Sequence, residues 1–374
     1  MDGPWVDELT KTGHVKILFA LAGLHRVDRG AEVVFISVAS QLARAGDKVT
    51  LIGSGPHRPD APYRYIRVPA IRRERFERWP SLPMFRNETS WEEASFVPGL
   101  LAAFRPGDYD VTVTCAYPWT NWALRRPTGG YRPKHVFVTQ NGDWPAHSDK
   151  AEFRFFDCDG LICTNPDYLE RNSARYRSTL VPNGIDTSRF TPGPGERERL
   201  GLPLDRPIVL MGSALIATKN VEGALRAMEH VPEANLVVAG DGPLRGELRD
   251  LADRLIPGRY TQVTMPPEEM PSLYRSADIF LHMSRQEPFG NVYLEAMGCG
   301  KPVVGIDLPR TRWIVGDGAF LAAPDDDADL VNKIRAALGS RDQSASALID
   351  RAREFDWSRI AARYRDFFGE VAAS

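Results

Sequence analysis

Short apolar runs alternate with amphipathic stretches along most of this chain. Val15-Lys-Ile-Leu-Phe-Ala-Leu leads to Gly23 and has the look of a buried parallel strand. A polar loop, Leu24 to Gly30, follows. Residues 31–45 then carry Val34, Val38 and Leu42 on one helical face, with Gly46 where a C-cap belongs. Lys48-Val-Thr-Leu-Ile reads as the next strand, so the chain opens with a strand–helix–strand unit. Further strands are predicted at 111–115, 135–139, 160–164 and 179–181, and a helix over 166–176.

A second alternating series occupies the C-terminal half. Strands are predicted at 208–212, 235–239, 261–264, 278–281 and 302–305. Helices are predicted at about 220–229, 243–255, 267–276 and 290–298. The turn-rich Phe190-Thr-Pro-Gly-Pro-Gly-Glu has little to bury and reads as the inter-domain linker. Trp357, Ile360, Tyr364 and Phe367–Phe368 fall at helical spacing in a last helix over 356–372. The predicted fold class is α/β: two Rossmann-like, doubly wound parallel-sheet domains facing a cleft. The expected boundaries are 1–185, 186–355, and a terminal helix at 356–374 packing back on the N-terminal domain.

The most informative stretch is Glu287-Pro-Phe-Gly-Asn-Val-Tyr-Leu-Glu. Two carboxylates lie eight positions apart, the first in a proline-stiffened loop and the second inside a helix that opens near Gly290. A helix start presents unpaired N–H groups and the positive end of the dipole to a ligand. Gly290 lets that ligand approach the backbone. A phosphate there leaves Glu295 about 7 Å further along the axis, at about 1.5 Å per residue. A ribose diol would lie at that distance, and Glu287 would meet the group beyond the phosphates. The order carboxylate, phosphate cradle, carboxylate suits a nucleotide-sugar. A capped helix with two solvated glutamates accounts for the same nine residues.

Other candidates lie on the same predicted rim. Lys219 follows strand 208–212 across Gly212-Ser-Ala-Leu-Ile-Ala-Thr-Lys-Asn and would offer a point charge to a diphosphate. Gly240-Asp-Gly-Pro-Leu permits a tight strand-to-helix turn, with Pro243 at the first helical position. Gly30, in Arg29-Gly-Ala-Glu, would let the N-terminal domain approach a phosphate, while Glu32 complements the helix dipole. Gln140-Asn-Gly-Asp-Trp offers amides, a carboxylate and an aromatic platform. There Gln140 and Asn141 would be acceptor or sugar contacts and Asp143 would orient an acceptor hydroxyl; an Asn-Gly turn accounts for the same residues. Residues 63–86 mix seven arginines with Tyr63, Tyr65, Phe76, Trp79 and Phe85, against Glu74 and Glu77 alone. That pattern suits an anionic acceptor or an anionic membrane surface.

Composition narrows the classes. The chain is 43% hydrophobic and 26% charged, and a net charge of −2 gives no global basic field for nucleic acid. No apolar run is long enough to span a bilayer. Met-Asp-Gly-Pro-Trp-Val-Asp-Glu lacks a signal-peptide pattern, which predicts a cytoplasmic protein, with peripheral contact at the inner membrane face as an added expectation. Cys115, Cys158, Cys163 and Cys299 match no zinc or redox spacing, and no histidine pair has metal-ligand spacing. No metal and no resident cofactor are expected.

Val181-Pro-Asn-Gly-Ile-Asp, Gly240-Asp-Gly-Pro-Leu and Glu287 through Val304, taken in order, resemble the retaining nucleotide-sugar glycosyltransferases of the GT-B fold, family four or group one. The resemblance implies transfer of a hexose-type sugar from a nucleotide diphosphate sugar to an acceptor hydroxyl, with retention and without a metal. It implies that Glu295 holds the ribose. Glu287 would contact the donor sugar, with Phe289, Gly290 and Asn291 near it through backbone groups. Lys219 would neutralise the diphosphate, and Gly30 would add backbone N–H. Same-face attack, with the leaving phosphate taking the acceptor's proton, needs no enzyme nucleophile. Two positions depart from the family. Ser213 stands where an arginine six residues before the lysine clamps the diphosphate; either another arginine, such as Arg26 or Arg29, substitutes, or activity is weak or lost. Gln140 stands where many members carry histidine. The alternatives are a nucleotide-sugar 2-epimerase on the same fold and a non-catalytic nucleotide-sugar-binding subunit, which Ser213 favours.

Overall fold

The computed structural model describes residues 14–127, 130–150, 153–340 and 345–374; the N-terminal peptide read for a signal pattern lies outside them. The chain divides into two compact units, Met1–Pro182 with Trp357–Ser374, and Asn183–Asp356. The first unit runs β1 (Lys16–Ala20), α1 (Gly30–Arg44), β2 (Lys48–Gly53), β3 (Arg64–Arg67), α2 (Glu88–Ala103), β4 (Val111–Thr114), α3 (Trp119–Arg125), β5 (Lys134–Val138), α4 (Trp144–His147), β6 (Gly160–Cys163), α5 (Pro166–Asn172) and β7 (Ser178–Leu180). Its sheet is parallel throughout, in the order β3-β2-β1-β4-β5-β6-β7.

The second unit runs β8 (Ile208–Gly212), α6 (Val221–Glu229), β9 (Asn235–Ala239), α7 (Arg245–Leu255), β10 (Tyr260–Val263), α8 (Met270–Ser276), β11 (Ile279–His282), α9 (Asn291–Gly298), β12 (Val303–Ile306), α10 (Pro309–Val315), β13 (Phe320–Ala322), α11 (Asp327–Gly339) and α12 (Ala345–Arg353). Its parallel sheet has the order β10-β9-β8-β11-β12-β13. The two Rossmann-like parallel sheets expected from the alternation are therefore present. Helices cover both faces, so β4, β6, β8, β9, β11 and β12 are buried along their whole length and are mostly apolar, with Thr112, Thr114, Asn235 and His282 as buried polar exceptions.

The strand order positions the site. In the second unit the winding reverses between β8 and β11, which pair through Ile279↔Val209 and Phe280↔Leu210. At such a reversal the loops leaving two neighbouring strands depart to opposite faces and leave a crevice at their carboxyl ends. The loop after β8 carries Lys219, and the loop after β11 carries Glu287.

The structure corrects the linker. Residues 190–196 pack inside the second unit: Phe190 is buried, and Ser276 Oγ accepts from the Glu196 backbone. The division falls instead between Pro182 and Asn183; the Pro-Gly turns are exposed but run beside Arg275 and Ser276 of α8, within the second unit. α5 ends at Asn172, short of the predicted 176. Its side chain bonds back to the Tyr168 carbonyl, and the chain turns at once toward β7. α2 and β3 were not predicted. α2 begins in a polar run and contains Pro98, so its inward positions, Phe96 and Leu100 among them, do not stand out as a stripe. α13 (Trp357–Ala372) buries Ile360, Tyr364, Phe367, Phe368 and Val371 against α1, β4 and β5.

Candidate functional site

Lys219 and Glu287 meet at the β8/β11 rim. Lys219 ends a 3-10 turn over Ala217–Lys219, and Asn220, in the left-handed conformation with φ 51°, caps α6 by accepting from the Gly223 N–H at 3.1 Å. This sharp reversal turns the lysine back over the strand ends, where its ammonium pairs with Glu287 Oε1. Buried His282, the last residue of β11, places Nε2 3.4 Å from the same oxygen. Arg310, from the start of α10, donates to the Glu287 backbone carbonyl. Burial alone would raise the Glu287 carboxyl; His282 and Lys219 beside it outweigh that and hold it down at about 2. The group is a fixed anion at neutral pH. It can accept hydrogen bonds, but it has no proton to give.

Glu295 lies one helix turn inside α9. Tyr274, fully buried on α8, donates its hydroxyl to Glu295 Oε2 at 2.7 Å. Burial pushes the Glu295 carboxyl up, while Tyr274 and Arg189 pull it back. Between the two glutamates, Gly290 starts α9 at φ 93°, a conformation that glycine adopts without strain, and no side chain caps the helix. Asn291 is the first helical residue, and its Oδ1 accepts from Asn183 Nδ2 at 3.0 Å. Phe289 turns its ring into the core against Trp313 and Phe355, so only its backbone remains for a ligand.

Gly240 and Ser213 belong to two loops laced together by backbone. Ser213 N–H donates to Ala239 O at 2.9 Å and Leu215 N–H to Asp241 O at 3.0 Å. A Cβ on Gly240 would overlap the Ser213 carbonyl, which is the physical reason for glycine there. The Ser213 hydroxyl is buried and donates to the Ala214 carbonyl at 3.3 Å. It brings no charge to the rim.

The first unit holds the remaining candidates. Gly30 opens α1, and a Cβ there would meet nothing within 4 Å, so its backbone faces open space. Arg26 and Arg29 are occupied: Arg26 pairs with Glu92, while Arg29 Nη2 lies 2.7 Å from Glu32 and 3.5 Å from Glu92. Both carboxylates are buried. Each arginine that could replace the one missing at Ser213 is thus already engaged with a buried carboxylate of its own unit. Glu32 lies in the first turn of α1, where it was expected to complement the helix dipole, and it is also buried and paired with Arg29.

Asp143 is likewise engaged within the first unit. Its carboxylate accepts from Arg171 Nε and Nη2, both at 3.0 Å, and from Asn172 Nδ2 at 2.9 Å. It ties the start of α4 to α5 and is committed to the fold. Gln140 is buried, with the Tyr364 hydroxyl of α13 beside it, whereas Asn141 is exposed and reaches Cys115 Sγ at 3.9 Å. Trp144 is partly exposed and stacked by Arg86, 4.0 Å from the ring centroid.

His282, Arg310 and Tyr274 escaped the sequence reading. His282 had a signal, a polar residue closing an otherwise apolar strand. Tyr274 sits at core spacing, and Arg310 is an ordinary first-turn arginine, so neither had one. Among the described residues no group of three histidine, cysteine, aspartate or glutamate side chains could hold a metal ion. No helix there is long and apolar enough to cross a membrane.

Comparison with known proteins shows the family and the fold. The profile of the family Glycosyl transferases group 1 matches residues 194–355, and that of Glycosyltransferase Family 4 matches residues 29–189. The D-inositol 3-phosphate glycosyltransferase of Mycolicibacterium smegmatis is 28% identical over 365 residues, 88% of this chain and 83% of that protein. The protein of the same description from Xylanimonas cellulosilytica is 34% identical over 217 residues, about half the length of each chain (52%). The solved structure of Anabaena Alr3699/HepE in complex with UDP-glucose superimposes with a TM-score of 0.71 at 20% identity, covering 96% of this chain and all of the other (100%). Both units are matched by profiles of one kind of enzyme, and the strand orders and backbone follow its solved fold; the chain belongs to the family-four, group 1 glycosyltransferases of the GT-B fold.

Proposed function

We propose that this glycosyltransferase moves a hexose-type sugar from a nucleotide diphosphate sugar to an acceptor hydroxyl with retention of anomeric configuration. The observation that carries the reading is the meeting of Lys219 and Glu287 beside the uncapped start of α9. An ammonium has three protons to donate, so Lys219 can hold Glu287 and still meet a diphosphate oxygen. With the α9 start it would stabilise charge developing on the leaving phosphate, the work a metal does elsewhere, so no metal or cofactor is assigned. Glu287, ionised and fixed, would accept hydrogen bonds from the sugar, and Glu295 from the ribose. The C1–phosphate bond breaks while the acceptor oxygen bonds C1 on the same face. The acceptor's proton passes to the departing phosphate oxygen. The UDP-glucose bound by Anabaena Alr3699/HepE supports the donor class.

D-Inositol 3-phosphate, in the names of two relatives, supports a phosphorylated polyol as the acceptor chemistry. On the first unit, Ile71, Trp79 and Leu82 are exposed among Arg72, Arg75 and Arg78. Trp79 begins a row of touching rings through Trp91, Phe85, Trp119 and Trp122 to exposed Phe155. Apolar rings between arginines suit peripheral contact with an anionic, inner-face membrane carrying a lipid-linked acceptor.

One second reading has its own observation. Ser213 puts no cation where the family clamps the diphosphate, which favours a subunit that binds nucleotide-sugar without turnover. The test is thermal unfolding with UDP, GDP and ADP, with and without magnesium, followed by NMR of the anomeric centre of any product made from the matching sugar nucleotide and D-inositol 3-phosphate. A magnesium-independent shift with a retained product supports the main reading. A shift with no turnover, unrelieved by Ser213→Arg, supports the binding subunit. No shift with any nucleotide removes both. Co-sedimentation with phosphatidylglycerol vesicles but not phosphatidylcholine vesicles tests the membrane contact.

A further inference from the structure

We propose that Tyr274 is a positioning residue whose phenol holds the Glu295 carboxylate in the orientation that selects ribonucleoside over 2′-deoxyribonucleoside diphosphates. The inference rests on the reading of Glu295 as the ribose acceptor and adds the residue that makes its geometry selective.

The phenol is held from every side. Its ring lies between Phe190, with centroids 6.0 Å apart at 70°, and Phe280, at 5.5 Å and 58°. At the end of β8, a Cβ on Gly212 would stand 3.2 Å from the Tyr274 hydroxyl oxygen. Glycine there leaves the hydroxyl its place. From that fixed position the hydroxyl reaches Glu295 Oε2 at 2.7 Å. Among the described residues no other hydrogen bond is made to this carboxylate, so Oε1 keeps its full accepting capacity.

A carboxylate on a glutamate stem turns readily about its last torsion. Unanchored, it would meet one ribose hydroxyl or two in many poses and would gain little from the second. With Oε2 pinned by a rigid phenol, the carboxylate plane is set, and a vicinal diol finds both acceptors at once. A 2′-deoxyribose leaves one acceptor site of a buried carboxylate unfilled, and that loss is what makes a site reject an analogue lacking a hydroxyl. The phenol also favours the ionised acid against burial, and only the ionised form accepts from both hydroxyls.

The test measures the affinity of the full chain for UDP, GDP and ADP and for the 2′-deoxy counterpart of each. Wild type, Tyr274→Phe and Gly212→Ala are compared, with unfolding temperature as a fold control. Wild type is expected to prefer the ribonucleotide, and Tyr274→Phe to lose about tenfold of that preference, the scale of a hydrogen bond to a charged group. Gly212→Ala, which displaces the hydroxyl without removing it, should move in the same direction. A folded Tyr274→Phe that discriminates as well as wild type overturns the proposal and leaves the ribose reading standing. If Tyr274→Phe does not fold, Gly212→Ala decides, and unchanged discrimination there overturns it. Wild type that binds no nucleoside diphosphate, or binds both sugars equally, removes the ribose reading of Glu295 and this proposal with it.

Discussion

Lys219 and Glu287, 68 residues apart in sequence, form an ion pair at the carboxyl ends of β8 and β11. His282 backs the same carboxylate oxygen from inside the sheet. A half-buried anion with a cation in front and an imidazole behind is fixed both in place and in charge, whereas Glu295 has one hydrogen-bond partner, the Tyr274 phenol, among the described residues.

That difference predicts how the two glutamates fail. Glu287→Ala should lower kcat by about 100-fold with little change in donor KM, the scale of removing one fixed electrostatic group from a reacting centre. Glu295→Ala should instead raise the donor KM by about tenfold and leave kcat nearly unchanged. Initial rates over a range of donor concentrations separate the two, and equal losses of both constants in both variants would contradict the division.

A buried acid in the first unit predicts a pH dependence of stability. Burial lifts the Glu93 carboxyl to about 8, against the Thr120 backbone N–H and with Glu92 adding to the rise. Its folded value lies above its unfolded one. The native state therefore has this group's full stability below the unfolded value of 4.5 and loses it as pH rises through about 8. Glu93→Gln cannot ionise, so its unfolding temperature should exceed that of wild type at pH 9 by more than at pH 5. Thermal unfolding of both proteins across that range checks it; parallel curves would refute it.

Two glycines should respond in opposite ways. Gly240→Ala forces a Cβ into the Ser213 carbonyl and should cost about 2 kcal/mol, roughly 5 °C in unfolding temperature for a unit of this size. Gly30→Ala has open space and should leave the unfolding temperature within about 1 °C, since alanine is the better helix former. If a ligand phosphate sits on the α1 backbone, the same variant should lower kcat/KM by about tenfold. Calorimetry and initial rates together read both effects.

Asp143 gives the fourth expectation. Asp143→Ala leaves one buried Asn172 N–H without its acceptor and frees the exposed Arg171, and the cost should be about 2 kcal/mol, the scale of one buried donor left unsatisfied. Acceptor KM should stay within about twofold if the carboxylate serves only α4 and α5. Denaturant unfolding and an acceptor titration check the two halves, and a raised acceptor KM in a protein of wild-type stability would restore Asp143 to the acceptor.

Much of this molecule is written locally. The apolar runs mark the parallel strands, because a strand covered on both faces is mostly apolar, and β8, β9, β11 and β12 were legible for that reason. Gly290 and the eight-residue spacing of Glu287 and Glu295 mark a helix start between two carboxylates without any tertiary knowledge. What surrounds those carboxylates was not legible. The partners of Glu287 come from the loop after β8, from β11 and from α10, and that of Glu295 from α8. Asp143 and the pair Arg26 and Arg29 look available in sequence and are engaged in the fold. Backbone propensity and side-chain periodicity act over a few residues and are visible in order along the chain. Ion pairs, burial and the pKa values they set depend on which strand ends the sheet order brings side by side, and only the folded chain decides that.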